Sequence, residues 1–421
     1  MRKFLATLLA LVMTLALMVP ASWGENKETY QLPDSLEGKT VILHTNDVHG
    51  AIDKYAKVAA LRDECYDKGA HQVILLDAGD FSQGSPYVSL SKGATALDMM
   101  ALVGYDVITL GNHEFDYGFP QLMENLKKHQ GDFMVACNNL VDDEGELIFA
   151  PGGTAPIYAD DTYETELFRI AIVGMATPET QTKANPALMK GLSFIGGKDL
   201  YKVTQENVDM ARSEGNADIV IALGHLGVDK SSEPNCSYNV MQNVKGIDLF
   251  IDGHSHTVMA NKQVTDASGK AVTLTQTGSY FKNIGKMTVG ADGTITTELI
   301  DTYEGLDAAV AATASNWISA VDDMLGEEIA VGDTKFYIND PATGKRRIRS
   351  GETNLGDFVA DGIYTYFNEI EELHCDVAIM NGGGIRTDVE AGPWSFKTCK
   401  TVSPFGNVAC LMSVTGQQIQ D

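Results

Sequence analysis

The sequence predicts an α/β protein of two domains joined by a helix. Short apolar runs alternate with segments of helical periodicity through roughly the first 300 residues, which is the pattern of strands and helices packed in layers. A cluster of His, Asp or Asn follows five of these runs. After one long helical segment the alternation stops and a triple glycine appears. The chain has 421 residues, 44% of them hydrophobic and 21% charged, the composition of an ordinary globular protein.

The first domain, residues 25–303, is predicted from its apolar runs. We expect buried strands at 41–44, 73–76, 106–110, 170–173, 219–222 and 249–251. A helix with Tyr55, Val58 and Leu61 on one face follows the first strand, and Pro120 begins another helix at a position where its missing N–H costs nothing. Between 272 and 300, short alternating runs separated by glycines indicate antiparallel strands.

A linker helix and a second domain follow. Apolar residues recur at helical spacing between 306 and 325, so residues 304–326 are predicted to connect the domains. The second domain, residues 327–421, is predicted to be α/β. It has a polar stretch at 339–345 and a helix that Thr353 or Asn354 can cap.

The first 24 residues have the features of a signal peptide. Basic residues at positions 2 and 3 precede an apolar run that ends in Pro20-Ala21-Ser22-Trp23-Gly24. A membrane anchor is the alternative, but the run is shorter than the roughly 20 residues that a spanning helix needs. We therefore expect export to the periplasm, the cell surface or the medium, with no transmembrane segment in the mature part.

Charge and cysteine content restrict the partners. The formal net charge is −26, which excludes a nucleic acid polymer and an anionic membrane surface as partners, because both would be repelled. An anionic substrate must be attracted locally. The six cysteines show no paired spacing, so no disulfide is assigned, and the oligomeric state is left open.

The polar clusters that follow the strands are the candidate site. They are Asp47-Val48-His49, Gly79-Asp80, Gly111-Asn112-His113-Glu114-Phe115-Asp116, Gly224-His225 and Gly253-His254-Ser255-His256. Ligands bind beyond the carboxyl ends of strands in open α/β sheets. A mixture of His, Asp and Asn suits Zn, Mn, Fe or Co rather than Ca. Two divalent ions are plausible, because one carboxylate has two oxygens and can bridge them.

This ordered series resembles the calcineurin-like metallophosphoesterases, and residues 44–50 and 111–118 resemble their 5′-nucleotidase and UDP-sugar hydrolase branch. The resemblance implies a β-sandwich flanked by helices. It also implies two metal sites that share one carboxylate. Asp47, His49, Asp80 and His256 would bind one ion, and Asp80, Asn112, His225 and His254 the other.

The resemblance also makes His113 and Asp116 a catalytic dyad rather than metal ligands. Asp116 would orient the imidazole, which donates a proton in the transition state and contributes typically about 10²–10⁴ in rate. The alternative is a structural role for His113. We expect His44 to face the core or support the site from behind, and Asp77 to cap a turn. His71, His129 and His374 are expected to be solvated and without partners.

A second constellation lies in the second domain: Arg349, the block Asn381-Gly382-Gly383-Gly384-Ile385-Arg386, and Phe405. Arg can bind phosphate through two hydrogen bonds, and Phe can stack on a flat ring. The resemblance to the 5′-nucleotidase family implies that Arg349, Asn381 and Arg386 contact a nucleotide and that Phe405 stacks on its base. The family's second base-stacking aromatic would lie beyond residue 421, so we expect this domain to be incomplete.

These features predict an exported 5′-nucleotidase that releases phosphate from nucleoside 5′-monophosphates with metal-activated water. Three other functions stay open. The same centre serves a UDP-sugar hydrolase or a 2′,3′-cyclic-nucleotide phosphodiesterase. A phosphatase of non-nucleotide esters would not need the second domain. A non-catalytic nucleotide-binding protein would not need the complete ligand set.

Overall fold

The computed structural model describes residues 28–158, 166–290 and 292–420. The predicted signal peptide lies outside the described residues. The strands are β1 (Lys39–Thr45), β2 (Gln72–Asp77), β3 (Val107–Ile108), β4 (Met134–Val135), β5 (Leu140–Asp142), β6 (Gly152–Tyr158), β7 (Glu166–Ala176), β8 (Leu192–Phe194), β9 (Ile219–His225), β10 (Leu249–Ile251), β11 (Val258–Thr265), β12 (Ala271–Thr277), β13 (Ile284–Gly290), β14 (Ile295–Ile300), β15 (Glu328–Gly332) and β16 (Gly392–Ser395).

The helices lie between these strands and after them. They are α1 (Tyr55–Asp67), α2 (Pro86–Ser89), α3 (Ala94–Val103), α4 (Phe119–Lys128), α5 (Thr180–Lys183), α6 (Gly197–Ser213), α7 (Ser237–Asn243), α8 (Ala308–Leu325), α9 (Asn354–Thr365), α10 (Phe396–Val402) and α11 (Gly416–Gln420). Single turns of 3₁₀ helix lie at Ile52–Lys54, His113–Phe115, Pro186–Leu188, Lys230–Ser232 and Gly382–Gly384, and a π-helical turn lies at Tyr366–Ile370.

The first domain contains two six-stranded sheets in the described part of the chain. Their orders are β14-β13-β1-β2-β3-β4 and β11-β12-β10-β9-β7-β6. The strands β1 to β4 are parallel, and so are β7, β9, β10 and β12. Antiparallel strands close the edges, with β13 and β14 on the first sheet and β11 and β6 on the second. Within each sheet the parallel strands therefore end at one edge.

The two sheets pack face to face and are covered by helices. In β1, Ile42 faces the second sheet, where it shares a core with Ile221 and Ile251. Its neighbours Val41 and Leu43 point the other way, into a core that includes the apolar face of α1. Helices α6 and α7 cover the outer face of the second sheet. Strands buried on both faces read as continuous apolar runs, and the predicted β-sandwich flanked by helices is confirmed.

Some predicted strands differ in extent or in direction. The strand expected at 106–110 pairs only over Val107–Ile108, because the residues after it leave the sheet toward the site. The segment 272–300 was expected to be antiparallel, yet β12 runs parallel to β10. It reaches this place because β11 and β12 form a hairpin at the edge of the second sheet, whereas β13 and β14 complete the first sheet. Local alternation does not encode which sheet a strand joins.

The predicted linker helix is α8. The side chain of Asp307 caps it by accepting a hydrogen bond from Val310 N at 2.8 Å. The buried residues Val310 and Ala314 lie in the core that the helix shares with α1. Near its other end, Asp322 accepts a hydrogen bond from Lys397 Nζ of the second domain at 2.7 Å. The helix thus contacts both domains.

The second domain has a small core of its own. Helix α9 and strand β16, which pairs antiparallel with β15, contribute to it. Its buried residues are Ile338, Leu355, Ile385, Val389, Trp394 and Val402. Thr353 caps α9 by accepting a hydrogen bond from Gly356 N at 3.2 Å. Asn354 instead accepts one from Tyr337 N at 2.9 Å, so Thr353 is the cap.

Two of the three histidines expected to be solvated and unpaired have carboxylate partners. His71 is exposed, whereas the exposed His374 lies 3.0 Å from Asp376. For His129 the prediction is wrong, since its side chain is buried between Asp132 at 3.0 Å and Asp98 at 3.2 Å. Asp98 lies on another helix, so this pairing cannot be read from nearby sequence.

Three further expectations concern membrane-spanning helices, disulfides and Asp77. No helix in the described segments has both the length and the apolar character needed to cross a membrane. The six cysteines are unbridged in the structure. Asp77 accepts a hydrogen bond from Gly79 N at 2.8 Å, which confirms its role as a turn cap.

His44 lies in the core, as expected, on the strand next to Gly285. It is 1% exposed, and a Cβ at Gly285 would lie 2.0 Å from its Nε2, so glycine makes room for the ring. Burial lowers the pKa of His44 from 6.5 to about 3. The folded protein therefore keeps the ring neutral at a pH where the unfolded chain protonates it.

This burial predicts a loss of stability in acid. Below pH 6.5 the imidazole of His44 binds a proton in the unfolded state but stays neutral in the folded state. The free energy of unfolding therefore falls as the pH decreases toward 3. At pH 5 the loss from His44 alone is about 2 kcal/mol. Urea unfolding of the metal-free protein at pH 7 and pH 5 measures it. In His44→Leu the fall between these two pH values should be smaller by that amount, and an equal fall in both proteins would contradict the assignment.

Candidate metal centre and nucleotide cleft

The predicted ligands converge because their strands end at one place. Asp47 follows β1, Asp80 follows β2 and Asn112 follows β3 in the first sheet. His225 is the last residue of β9, and the loop after β10 carries His254 and His256. The carboxyl ends of parallel strands in two packed sheets therefore supply all of these side chains.

The loops that carry these ligands are strained. Five predicted ligands have a positive φ, a region that non-glycine residues seldom adopt: Asp47 (50°), His49 (48°), Asp80 (62°), His254 (75°) and His256 (54°). Hydrogen bonds between the loops hold these conformations, among them Asp47 N to Gly79 O at 2.9 Å and His49 N to Asp80 O at 3.0 Å. Strain that the surrounding structure maintains is typical of functional sites.

Glu114 joins two of these loops and was given no role from the sequence. Its carboxylate accepts hydrogen bonds from the backbone N–H of Gly111 (2.7 Å), Asp80 (2.9 Å), Phe81 (3.0 Å) and Ser82 (3.0 Å). One buried side chain thus fixes the loop of Asp80 against the loop of Asn112. The Gly-Asn-His-Glu motif contained this residue, but its partners become clear only in the fold.

The first group of ligands is Asp47, His49 and His256. One ligand atom from each lies within 4.8 Å of the others. Nε2 of His256 lies 3.3 Å from Asp47 Oδ1 and 3.0 Å from His49 Nε2. His49 Nδ1 lies 2.8 Å from Gln83 O, a hydrogen bond that uses the Nδ1 proton and leaves Nε2 facing the centre.

The second group is Asp80, His225 and His254, with ligand atoms again within 4.8 Å of one another. His225 Nδ1 lies 2.6 Å from Ala78 O, so its Nε2 faces the centre. That nitrogen lies 3.1 Å from Asp80 Oδ2 without the alignment of a hydrogen bond. Asn112 Oδ1 is also buried and has no hydrogen-bond partner among the described residues. His225 Nε2 and Asn112 Oδ1 are therefore two buried atoms with free lone pairs beside a carboxylate, an arrangement that suits a divalent cation.

The electrostatics of the centre also fit cations. Burial by itself would raise the pKa of Asp47, but the charge and hydrogen bond of His256 and the charge of His225 lower it to about 2. Burial would lower the pKa of His225, yet the charge of Asp80 raises it to about 10. Neither aspartate has a Lys or Arg as an ion-pair partner in the described ranges. The field that holds a proton on His225 attracts a cation in its place.

His113 and Asp116 are paired. His113 Nδ1 lies 2.7 Å from Asp116 Oδ2. Burial opposes the charged ring, but the charges of Asp80 and Asp116 raise the pKa of His113 to about 9. One ring nitrogen of His113 also lies within 4.8 Å of ligand atoms of His49 and Asp80, so the imidazole is beside the centre. The position of His113 is compatible with two roles, as a proton donor or as a further metal ligand.

The second domain closes over this centre and leaves a cleft. The cleft has a volume of about 800 Å³, and residues of both domains line it. Arg349, Asn381, Arg386 and Phe405 all lie on its wall, opposite Asp80, Asn112 and His254. The Phe405 ring stacks on His113 with the centroids 5.1 Å apart and the planes at 23°. All four predicted nucleotide-binding residues thus face the predicted metal ligands.

Two further residues lacked a clear signal in the sequence: Arg346 lines the cleft, and Tyr280 lines an adjoining cavity together with Arg346 and Arg386. Arg346 lies on the same wall, and its Nη2 donates to Ile385 O at 3.0 Å. Tyr280 has a positive φ of 54°, and its hydroxyl accepts a hydrogen bond from Arg386 Nε at 3.0 Å. Arg346 stands between Lys345 and Arg347 in a run of basic residues, so its local sequence does not distinguish it, and no motif marks Tyr280.

The three glycines of the block lie in two settings. Gly383 and Gly384 lie on the cleft wall, whereas Gly382 packs against the backbone of its own domain. A Cβ at Gly382 would lie 2.2 Å from Ile348 O, so this glycine lets two segments of the second domain approach each other. That approach sets Asn381 beside Arg349.

Comparisons with known proteins agree with this arrangement. Residues 40–258 match the family model of calcineurin-like phosphoesterases, and residues 330–421 match that of the 5′-nucleotidase C-terminal domain. The chain belongs to the calcineurin-like phosphoesterases. This phosphoesterase is a phosphoric ester hydrolase, and its second domain places it in the 5′-nucleotidase branch.

Relatives of the phosphoesterase include proteins of bacteria and mammals. The trifunctional nucleotide phosphoesterase protein YfkN of Bacillus subtilis is 28% identical over 90% of the chain, which spans only 27% of that protein. The 5′-nucleotidase of Bos taurus is 28% identical over 92% of the chain and 72% of its own length. The structure of a 5′-nucleotidase precursor from Thermus thermophilus has the same fold, with a TM-score of 0.69, 24% identity, and coverage of 88% of this chain and 74% of that one.

Asp80, the carboxylate predicted to bridge two ions, gives a direct test of the metal-centre hypothesis. Asp80→Asn should remove both ions, because the lost charge no longer offsets the repulsion between them. A charge lost at about 4 Å is worth roughly 4 kcal/mol near a protein surface, or about 10³-fold in affinity. Elemental analysis after loading with Mn²⁺ measures the ions per chain. Asp116→Asn, the same change outside the ligand set, should keep two, and two retained ions in Asp80→Asn would refute the bridging role.

Proposed function

We propose that this phosphoesterase is an exported 5′-nucleotidase that hydrolyses nucleoside 5′-monophosphates to nucleoside and phosphate. Two divalent ions, Zn²⁺, Mn²⁺ or similar, would be held by Asp47, His49, Asp80 and His256 and by Asp80, Asn112, His225 and His254. The observation that carries the proposal is the stacking of Phe405 on His113 across the cleft. It brings the predicted base-binding ring within one substrate length of the predicted catalytic dyad.

The bound ions would supply Lewis acidity toward the phosphoryl oxygens and lower the pKa of water. The residues of the chain do the rest. Asp116 holds His113 by its Nδ1, which aims the other ring nitrogen toward the ligand group. There it can donate a proton to a phosphoryl oxygen or to the departing nucleoside oxygen. The raised pKa of His113 keeps that proton available near neutral pH.

The second domain would supply selectivity. Arg349 and Arg386 are cationic groups on the cleft wall, and they can neutralise phosphate in a protein whose net charge is −26. Asn381 lies beside them. Phe405 would leave His113 and stack on the base when substrate enters, because a nucleotide and this ring–ring contact need the same space. Substrate would thus replace one stacking contact by another.

Export is part of the proposal and is supported by the sequence of residues 1–24. The mass of the mature protein, isolated from its native source, tests it. A first residue near position 25 supports cleavage, and an intact chain contradicts it.

The role of His113 predicts that chemistry and metal binding separate. His113→Ala should lower kcat for AMP by at least ~10² while two ions remain bound, because a proton donor is not a ligand. Elemental analysis and steady-state kinetics on the same preparation measure both quantities. His71→Ala, an exposed histidine, serves as the control and should retain both. Metal loss in proportion to activity would place His113 in the coordination sphere.

The role of Phe405 predicts a change in selectivity. Stacking on one base is worth roughly 1–3 kcal/mol, so Phe405→Ala should lower the ratio of kcat/KM for AMP to that for p-nitrophenyl phosphate by roughly 10–100-fold. Phe396→Ala removes an exposed ring of the same domain and should leave the ratio unchanged. An unchanged ratio in Phe405→Ala would remove Phe405 from the substrate site.

The same assay separates the alternatives when UDP-glucose and 2′,3′-cyclic AMP are added to the panel. A higher kcat/KM for either diester than for AMP would replace the nucleotidase assignment by that activity. Equal rates for all nucleotides and for phosphoserine would point to a phosphatase that ignores the base.

A further inference from the structure

When one ring nitrogen of a histidine binds a metal, the hydrogen-bond partner of the other ring nitrogen determines how the ring binds. That partner determines which nitrogen carries the proton and which has a free lone pair for a cation. In His49 and His225 the partner is a backbone carbonyl that accepts from Nδ1. Both rings therefore present Nε2 to the centre.

His254 has the opposite arrangement. Its Nε2 lies 2.7 Å from Oε2 of Glu179, a residue outside every motif considered in the sequence. An ionised carboxylate only accepts hydrogen bonds, so Nε2 must carry the proton. Nδ1 is then the nitrogen left for a cation, and the ring of His254 must face the centre by its other edge.

Glu179 is itself held in place. It lies at the start of α5, where its backbone N–H donates to Thr177 Oγ1 at 3.2 Å and its carbonyl accepts from Lys183 N at 2.8 Å. The Lys183 ammonium lies 3.1 Å from the same Oε2 that faces His254. Only 17% of the Glu179 side chain is exposed. The carboxylate is thus fixed on one side by its helix and on the other by the imidazole.

We propose that Glu179 is a positioning residue for the second cation site. It would hold His254 in the Nε2-protonated form, aim Nδ1 at the cation that Asp80, Asn112 and His225 share, and make that nitrogen a stronger donor. The inference rests on the two-cation centre of the proposed function. Hydrogen-bonding partners of ligand histidines change metal affinity typically by 10–100-fold, so this contact would set the affinity of one site and not of the other.

Titration of the metal-free protein with Mn²⁺ tests the proposal. Two dissociation constants are expected for the unchanged protein. In Glu179→Ala one of them should rise by roughly 10–100-fold while the other stays within a few-fold. Glu179→Gln should give a smaller rise, because its amide oxygen still accepts from Nε2. Glu206→Gln, the same change on an exposed glutamate paired with Lys202 on α6, should give no rise.

The tautomer of His254 is a second readout that does not need activity. In the Zn²⁺-loaded, ¹⁵N-labelled protein, NMR of the imidazole nitrogens should show an Nε2–H on His254 that Glu179→Ala exposes to rapid exchange with water. Two unchanged dissociation constants and a protected Nε2–H in Glu179→Ala would overturn the proposal. Equal losses in the Ala and Gln variants with the Nε2–H still protected would also overturn it, since Glu179 would then be a ligand itself.

These outcomes are distinct from failure of the proposed function. A protein that binds two Mn²⁺ ions and loses one affinity in Glu179→Ala, yet does not hydrolyse AMP, supports the positioning role and refutes the nucleotidase. If the protein hydrolyses AMP and both Mn²⁺ dissociation constants are the same in Glu179→Ala as in the unchanged protein, only the positioning role is refuted.

Discussion

Two buried carboxylates are the constraint on which the rest of the structure depends. Asp47 is 0% exposed and Asp80 is 2% exposed, and burying such charges is costly unless other groups compensate them. Partial compensation comes from backbone N–H groups and imidazoles. The N–H of His113 donates to Asp80 at 2.9 Å, and the N–H of His254 donates to Asp47 at 3.0 Å. These contacts orient the carboxylates and leave their charge to attract cations.

Holding these groups together demands both sheets. One sheet carries the two aspartates, and the other carries three of the histidines, so the face-to-face packing of the sheets determines the distance between them. Glu114 then joins two loops of the first sheet with three hydrogen bonds from residues 80–82. The positive φ values of the ligand residues are the local cost of bringing several loops to one point. Stability comes from the apolar layers, which leaves the centre free to be strained.

The division of labour between the domains follows from the same geometry. The first domain contains every predicted ligand and the dyad, whereas the second contributes cationic and aromatic groups to the cleft wall. Arg386 contacts both sides, since it donates to Tyr280 of the first domain and lies 5.3 Å from the ring of Phe405. The contacts named across the cleft, Arg386 with Tyr280 and Phe405 with His113, are a hydrogen bond and a ring stack.

Much of this was determined by the sequence itself. Apolar runs located the parallel strands because strands buried on both faces must be apolar throughout. The clusters after those runs identified the candidate ligands, because only the ends of strands can offer polar groups to a shared edge. The sequence also singled out Arg349, Asn381, Arg386 and Phe405, through a resemblance carried by short motifs. Tertiary structure decided what depends on distant partners. Four features depend on residues that are far apart in the chain or on how loops fold back. They are the direction of β12, the burial of His129 beside Asp98, the contacts of Glu114 and the pairing of Glu179 with His254. Periodicity reports only which face of an element is buried, so no local pattern could specify these contacts.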